Sequence, residues 1–308
     1  MLAMLANPRP IVPHLIYEVV LREIPHYAGD TTMTYRKAFY LVCAIALCLA
    51  VGLVAQQKKN PGYTDTAILP GQNWHVHDSE RPHPNTVTPG KVLGMPSSDA
   101  TVLFDGADLS RWMQRGRGAD RGKEIDAKWP VKEGYFEVAP GTGSLITRDK
   151  FGDVQLHIEW SEPTDITGTD QNRGNSGVLL MDRYEIQVLD SWGNVTYADG
   201  QAAALYGQWP PLVNPIRPPG EWQAYDIVFE SPRFEGEKLV RPAAATVFFN
   251  GVLVHHRKEI LGTMVHRAVA KYSPHGDEEP LSLQDHGHKV RYRNVWIRRL
   301  QGYDQPER

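Results

Sequence analysis

Cysteine is nearly absent. The 308-residue chain has two, Cys43 and Cys48, both inside one apolar run, "LVCAIALCLAVGLVA" from Leu41 to Ala55. If the chain is cut after Ala55, no cysteine remains. The protein must then be stable without disulfides, which a large core permits. A charge excess of one sign is also missing. Lys and Arg number 33, Asp and Glu 36, for a formal net charge of -3. This removes any electrostatic reason to expect nucleic acid as a partner. There is no H-E-x-x-H, no G-x-S-x-G and no P-loop. "GNSGV" puts Ser176 one residue short of a nucleophile elbow, and before a strand instead of a helix. "RGRGADRG" lacks the flanking strand and helix of a dinucleotide fingerprint. The sequon at Asn194 is read as a chance match. No long amphipathic helix and no internal repeat appears.

Glycine (27) and proline (23) are plentiful. With many short Val, Ile, Tyr and Trp runs they point to an all-β chain rich in turns. Arg36 and Lys37 precede the apolar run, which is shorter than the ~20 residues of a membrane span. Residues 33–55 therefore read as a secretory signal peptide. Residues 1–32 read as an upstream extension outside the natural product. The expected location is secreted or periplasmic, with membrane contact only through an uncleaved signal.

Residues 56–99 form a Pro-rich arm. Its "WHVHDSERPHP" holds His75, His77, Asp78 and His83, which read as a polar arm and not as a zinc site, since no zinc-type spacing is present. Residues 100–302 change to short strands. Val154, Leu156, Ile158 and Trp160 point one way; Gln155, His157 and Glu159 point the other. "NSGVLLMDRYEIQVLD" is two strands around a tight turn near Asp182-Arg183. "FFNGVLV" is a hairpin, because Asn-Gly supplies the φ > 0 residues of a type I′ turn. Many strands in one block of about 200 residues argue for a β-sandwich.

Two strands have polar faces. Ile186 and Val188 should face the core, with Glu185 and Gln187 opposite. Leu281, Leu283 and Asp285 alternate with Ser282, Gln284 and His286. If the two strands share a sheet, Glu185, Gln187, Gln284 and His286 form one polar patch. Amide, carboxylate and imidazole groups suit hydroxyl recognition. Trp112, Trp192, Trp209, Trp222 and Tyr206 are available to stack on sugar faces. An antiparallel sheet with one wet face would carry Glu and Gln in any case.

Five blocks carry a resemblance: "LFDGADLSRW", "RGNSGVLLMDRYEIQVLDSWGNVTYADGQAAALYGQWPPLVNP", "PPGEWQAYDIVFESPRF", "ATVFFNGVLVHH" and "PLSLQDHGHKVRYRNVWIRRL". Over about Thr101 to Leu300, in order, the chain resembles the 3-keto-disaccharide hydrolase domain family. The resemblance implies a concanavalin A-like jelly roll of two antiparallel sheets. It also implies a carbohydrate substrate, a glycoside whose C3 hydroxyl has become a ketone, and functional coupling to a sugar 3-oxidoreductase that makes the ketone. The family's recurrent polar positions match Glu185, Gln187, Asp190, Gln284, Asp285 and His286. Its "RGNSG" stretch matches Arg173, Ser176 and Gly177. His288 and Lys289 depart from the family's pattern and put the shape of that loop in question.

A C3 ketone acidifies the hydrogen on C2. Its removal gives an enolate that can expel the aglycone, and water can then add to the enone. The route needs a base, a group that stabilises the enolate oxygen and an acid for the leaving group. His286 is the candidate base or acid. Glu185 is the complementary carboxylate and could be the base instead. Gln187, Gln284, Arg173, Trp192 and Tyr206 are candidates to bind substrate. Asp190, Asp285 and Ser176 are expected behind them, and Arg173 with Asp190 could simply fix a loop. No cofactor is expected. Glu185, His286 and Asp190 could hold a divalent ion, but no spacing demands one. The alternative function is a non-catalytic lectin-like module. A glucanase with two acids at ~5–9.5 Å lacks its sequence pattern.

Overall fold

The structure, a computed structural model, describes residues 61–304. The expected signal peptide and upstream extension lie outside them. No helix among the described residues is long and apolar enough to cross a membrane. The chain divides into two compact units, one ending at Arg81 and one beginning at Pro82.

In the first unit the His-x-His-Asp cluster builds a turn. Asp78 accepts backbone N–H bonds from His75 and Glu80, both at 2.8 Å. These bonds hold its carboxyl below the usual carboxylate range. The His75 ring bonds the Thr66 carbonyl.

In the second unit the strands are, in chain order, β1 (Thr101–Phe104), β2 (Trp112–Arg115), β3 (Glu124–Asp126), β4 (Val131–Lys132), β5 (Tyr135–Glu137), β6 (Leu145–Phe151), β7 (Val154–Ser161) and β8 (Ser176–Leu180). They continue as β9 (Tyr184–Val188), β10 (Gln223–Glu230), β11 (Arg233–Glu235), β12 (Lys238–Arg241), β13 (Ala244–Phe249), β14 (Val252–Glu259), β15 (Glu279–Leu283) and β16 (Arg291–Arg299). An eight-stranded sheet runs β14-β13-β10-β7-β16-β5-β4, with β1 also paired to β16. A six-stranded sheet runs β3-β2-β6-β15-β8-β9, and β11 pairs with β12. This is the expected all-β, concanavalin A-like jelly-roll sandwich of antiparallel sheets.

The turns follow the sequence closely. Asn250 (φ 49°) and Gly251 (φ 79°) close the β13–β14 hairpin in the left-handed conformations a type I′ turn needs. The β8–β9 turn sits one residue earlier than expected, on Met181 and Asp182, which both have positive φ. Between the sheets lies an aromatic core. Trp160, Tyr225 and Phe249 pack edge to face or stacked, and Phe136 stacks on Tyr292. Trp112, expected as a stacking surface for sugars, is fully buried here. Burial is worth about 1.5–3 kcal/mol for a large apolar side chain.

The β7 alternation holds, with one exception. Val154, Leu156, Ile158 and Trp160 face the core. His157, on the opposite face, is also buried. The stretch around Gly94 covers it: the Gly94 carbonyl accepts bonds from Asn294 (2.9 Å) and Trp296 (2.8 Å), and Trp296 stacks on the His157 ring. Burial alone would lower the pKa of His157. Hydrogen bonds to Asp226 (2.6 Å) and the Glu159 carboxylate outweigh it and raise the value to about 9. The folded state therefore holds a proton that the unfolded chain, at 6.5, gives up. This stabilisation is complete below pH 6.5 and lost as pH rises through about 9. Thermal unfolding from pH 6 to 10 should show Tm falling across that window. Asp226→Asn should flatten the fall; an unchanged slope would exclude His157 as its source.

Candidate active site

Strand pairing brings the two polar faces together. β8 lies between β9 and β15. Gly177 pairs with Gln187, and the Gln284 N–H donates to the Gly177 carbonyl at 3.0 Å. One row further on, Glu185 pairs with Leu179, which pairs with Ser282. Paired residues share a face, so Glu185, Gln187, Ser282 and Gln284 lie on the side away from the core. Gly177 leaves room in the middle. A Cβ there would overlap the Glu185 carboxyl.

Loops at the edge of the sheet wall this face in. The segment Ala203–Tyr206 bonds along β9: Gln187 exchanges backbone bonds with Ala203 and Ala204, and the Tyr206 N–H donates to the Glu185 carbonyl at 3.2 Å. The Met264 N–H donates to the Arg183 carbonyl, which anchors the loop carrying His266. The result is a cavity of about 380 Å³. Glu185, Gln187, Gln284, His286 and Tyr206 all line it. So do Asp170, Gln171, Asn175, Tyr197, Met264 and His266, which the sequence reading missed. Gln171 and Asn175 flank the "RGNSG" block and could have been suspected from it. The loop around His266 has no periodicity to reveal it.

The two principal ionisable groups are pushed in opposite directions. Glu185 is 5% exposed. Burial raises its pKa to about 8, so it keeps its proton at neutral pH. His286 stands at the open rim. Partial burial, then the neighbouring His288, lowers its pKa below 6.5, with His266 adding to the effect. Its ring lies parallel to that of His288, with centroids 6.0 Å apart. At neutral pH the cavity thus presents a carboxylic acid and a free imidazole.

Gln187 is sensitive to that carboxyl proton. One of its amide atoms stands 3.1 Å from Glu185 Oε1 and 3.1 Å from the Ser176 carbonyl. In one orientation the Gln187 nitrogen donates to Gln171 Oε1 at 3.0 Å, and its oxygen can accept the Glu185 proton. In the other, the nitrogen donates to Glu185 and to the Ser176 carbonyl. Each orientation leaves one oxygen–oxygen contact, to the Ser176 carbonyl in the first and to Gln171 Oε1 in the second. Gln284 Oε1 is buried without a partner among the described residues, which makes it a ready acceptor for a hydroxyl.

Other expected residues have different tasks. Arg173 does not line the cavity. Its Nε donates to buried Asp190 Oδ2 at 2.6 Å. Asp190 also accepts the Trp192 N–H at 2.9 Å. Trp192 itself is 49% exposed on that loop, outside the cavity lining. The Asn194 amide donates to the Asp170 and Asp190 carbonyls, tying the same loop to the cavity wall. Asp285 is buried and accepts the N–H groups of Gly143 (2.9 Å) and Gly287 (3.0 Å). It fixes the bend from which Gln284 and His286 project. Ser176 joins the sheets: it donates to the Gln284 carbonyl and accepts from Tyr292, both at 2.6 Å. Asp190 is committed to Arg173 and is not among the residues lining the cavity beside Glu185 and His286. Among the described residues no group of three or more His, Cys, Asp or Glu is placed to hold a metal ion.

The sequence profile of the 3-keto-alpha-glucoside-1,2-lyase-like domain matches residues 99–298. The chain belongs to this family. A Parabacteroides distasonis protein of known structure, called a "putative glycosyl hydrolase", is 40% identical with a TM-score of 0.68. The match covers 76% of this chain and 100% of that one. A second protein of that organism, with the same description, is 19% identical with a TM-score of 0.48, over 66% of this chain and 94% of that one. No curated protein matches. Family and neighbour put this lyase-like domain among glycosyl hydrolase-like, carbohydrate-active proteins.

Proposed function

We propose that the domain cleaves 3-keto glycosides by elimination across C1–C2, followed by water addition. The observation that carries this reading is one cavity holding two groups with oppositely shifted pKa values, Glu185 and His286. Such a pair separates acid from base roles. His286, neutral at pH 7, takes the C2 proton. Glu185, protonated, donates to the C3 oxygen as negative charge builds there. A carboxylic acid held neutral by burial suits that task. The Gln187 nitrogen can then support the carboxylate through Glu185 Oε1. Gln284 and Asn175 hold hydroxyls of the ring.

An unoxidised glycoside offers no acidic C2 hydrogen, so it should be inert. The test is to incubate the protein with 3-keto-trehalose and, separately, with trehalose, and to follow released sugar and enone absorbance. Release from the first alone fits the reading. Binding of both without release would leave the lectin-like alternative standing. Such a substrate requires a separate sugar 3-oxidoreductase. An exported location fits the apolar run before Ala55.

A further inference from the structure

A second cavity of about 650 Å³ adjoins the first. The two share Tyr197, Tyr206 and His266. These three form a hydrogen-bonded chain: Tyr197 and Tyr206 hydroxyls are 2.8 Å apart, and the Tyr206 hydroxyl is 2.9 Å from His266 Nδ1. Beyond this partition the wall changes character. Val265, Ala268 and Val269 stand there with Asp199 and Arg267 in place of the amides of the first cavity, and Val269 is 80% exposed. The second space is therefore the larger of the two and offers both apolar and charged contacts.

The chemistry so far has a base and an enolate donor but no acid for the departing oxygen. We propose that the second cavity receives the leaving group and that Tyr206, supplied by His266, gives the departing oxygen its proton. The inference rests on the elimination reading above. The C2–H bond breaks and its proton goes to His286. The C2 electron pair forms the double bond. The C1–O bond breaks with its pair on the leaving oxygen, which takes the Tyr206 proton. The phenolate regains a proton through the His266 ring, which takes one from solvent as His286 releases its own, while Tyr197 donates a hydrogen bond to it. Burial and the Tyr206 hydroxyl push the Tyr197 pKa upward, which keeps it a donor throughout. One proton leaves carbon and one reaches oxygen, and solvent water carries the balance between the two histidines.

Tyr206 is placed firmly enough for this role. Its N–H bonds the Glu185 carbonyl, and the tight turn that follows is closed by the Gln208 and Trp209 N–H groups on the Leu205 carbonyl. Tyr206→Phe keeps the ring and that turn, so a folding defect is not expected. The decisive comparison uses two 3-keto glucosides, one with a methoxide and one with a 4-nitrophenoxide leaving group. Only the strongly basic methoxide needs an acid. Tyr206→Phe and His266→Ala should each lower kcat for the methyl substrate by about 10²-fold or more, and leave the nitrophenyl substrate close to wild type. Equal losses on both substrates, or no loss on either, would overturn the leaving-group role alone. A wild-type protein inactive on both would overturn it together with the elimination reading.

Discussion

His286→Ala is expected to lower kcat on a 3-keto glycoside by about 10²–10⁴-fold, the usual worth of a positioned base. The residue stands at the cavity rim and belongs to no strand, so the sandwich should survive its truncation. The lowered pKa also sets the direction of the acid limb. Activity should fall only below the ordinary imidazole range, because only there does His286 acquire a proton. A variant with near-wild-type turnover would remove His286 from the chemistry. His288 stacks beside it and serves as a control. Its replacement should shift the acid limb upward by removing a neighbouring cation, without abolishing turnover.

The second large effect belongs to Glu185. Glu185→Ala removes the donor to the enolate oxygen and should cost about 10²–10³-fold in kcat. Glu185→Gln keeps an N–H donor but no titratable proton. It should retain much more activity than the alanine variant. It should also lose the alkaline limb expected of the wild-type protein as Glu185 ionises near pH 8. If Glu185 were the base, the glutamine variant would be as inactive as the alanine one. Stability gives an independent check. The folded state holds the Glu185 proton from pH 4.5 up to about 8, where the unfolded chain has released it. Stability therefore declines across that window, and Glu185→Gln should melt higher than wild type at pH 8. A buried acid that costs stability and supports turnover is typical of a working site.

Much of this arrangement was legible in the sequence. Period-2 alternation placed Glu185 and Gln187 on one face of β9, and Gln284 and His286 together after β15. The Asn-Gly pair located the β13–β14 turn. What alternation cannot reveal is which strands are neighbours. The row Gln187–Gly177–Gln284 depends on β8 lying between β9 and β15, a pairing between segments about a hundred residues apart. Gly177 shows its importance only when the Glu185 carboxyl is seen leaning over it. His157 reads as a wet-face residue until the stretch around Gly94 is laid across it. Tyr197 and His266 stand on loops held by backbone bonds to β9 or to its approach, where side-chain pattern carries no signal. Arg173 and Trp192 matched the family's blocks, but the chain uses them on the Asp190 loop. In each case the missing information is tertiary contact.

The division of labour also explains why buried polar groups at this sheet are tolerated. Asp285 and Ser176 bond to backbone and so hold fixed the segments that carry Gln284 and His286, while half-buried Asn194 does the same for Asp170 from the loop after β9. Such support lets the catalytic groups stay incompletely paired. Gln284 Oε1 and the Glu185 carboxyl then remain open to substrate.

The central claim is that the C2–H bond breaks. The most direct measurement uses a 3-keto glucoside deuterated at C2, turned over in ordinary water and sampled early. The elimination account requires slower turnover than for the protiated substrate, and product that has lost its deuterium to solvent. Equal rates, with deuterium retained at C2 of the released sugar, would contradict it and point to direct attack of water at C1.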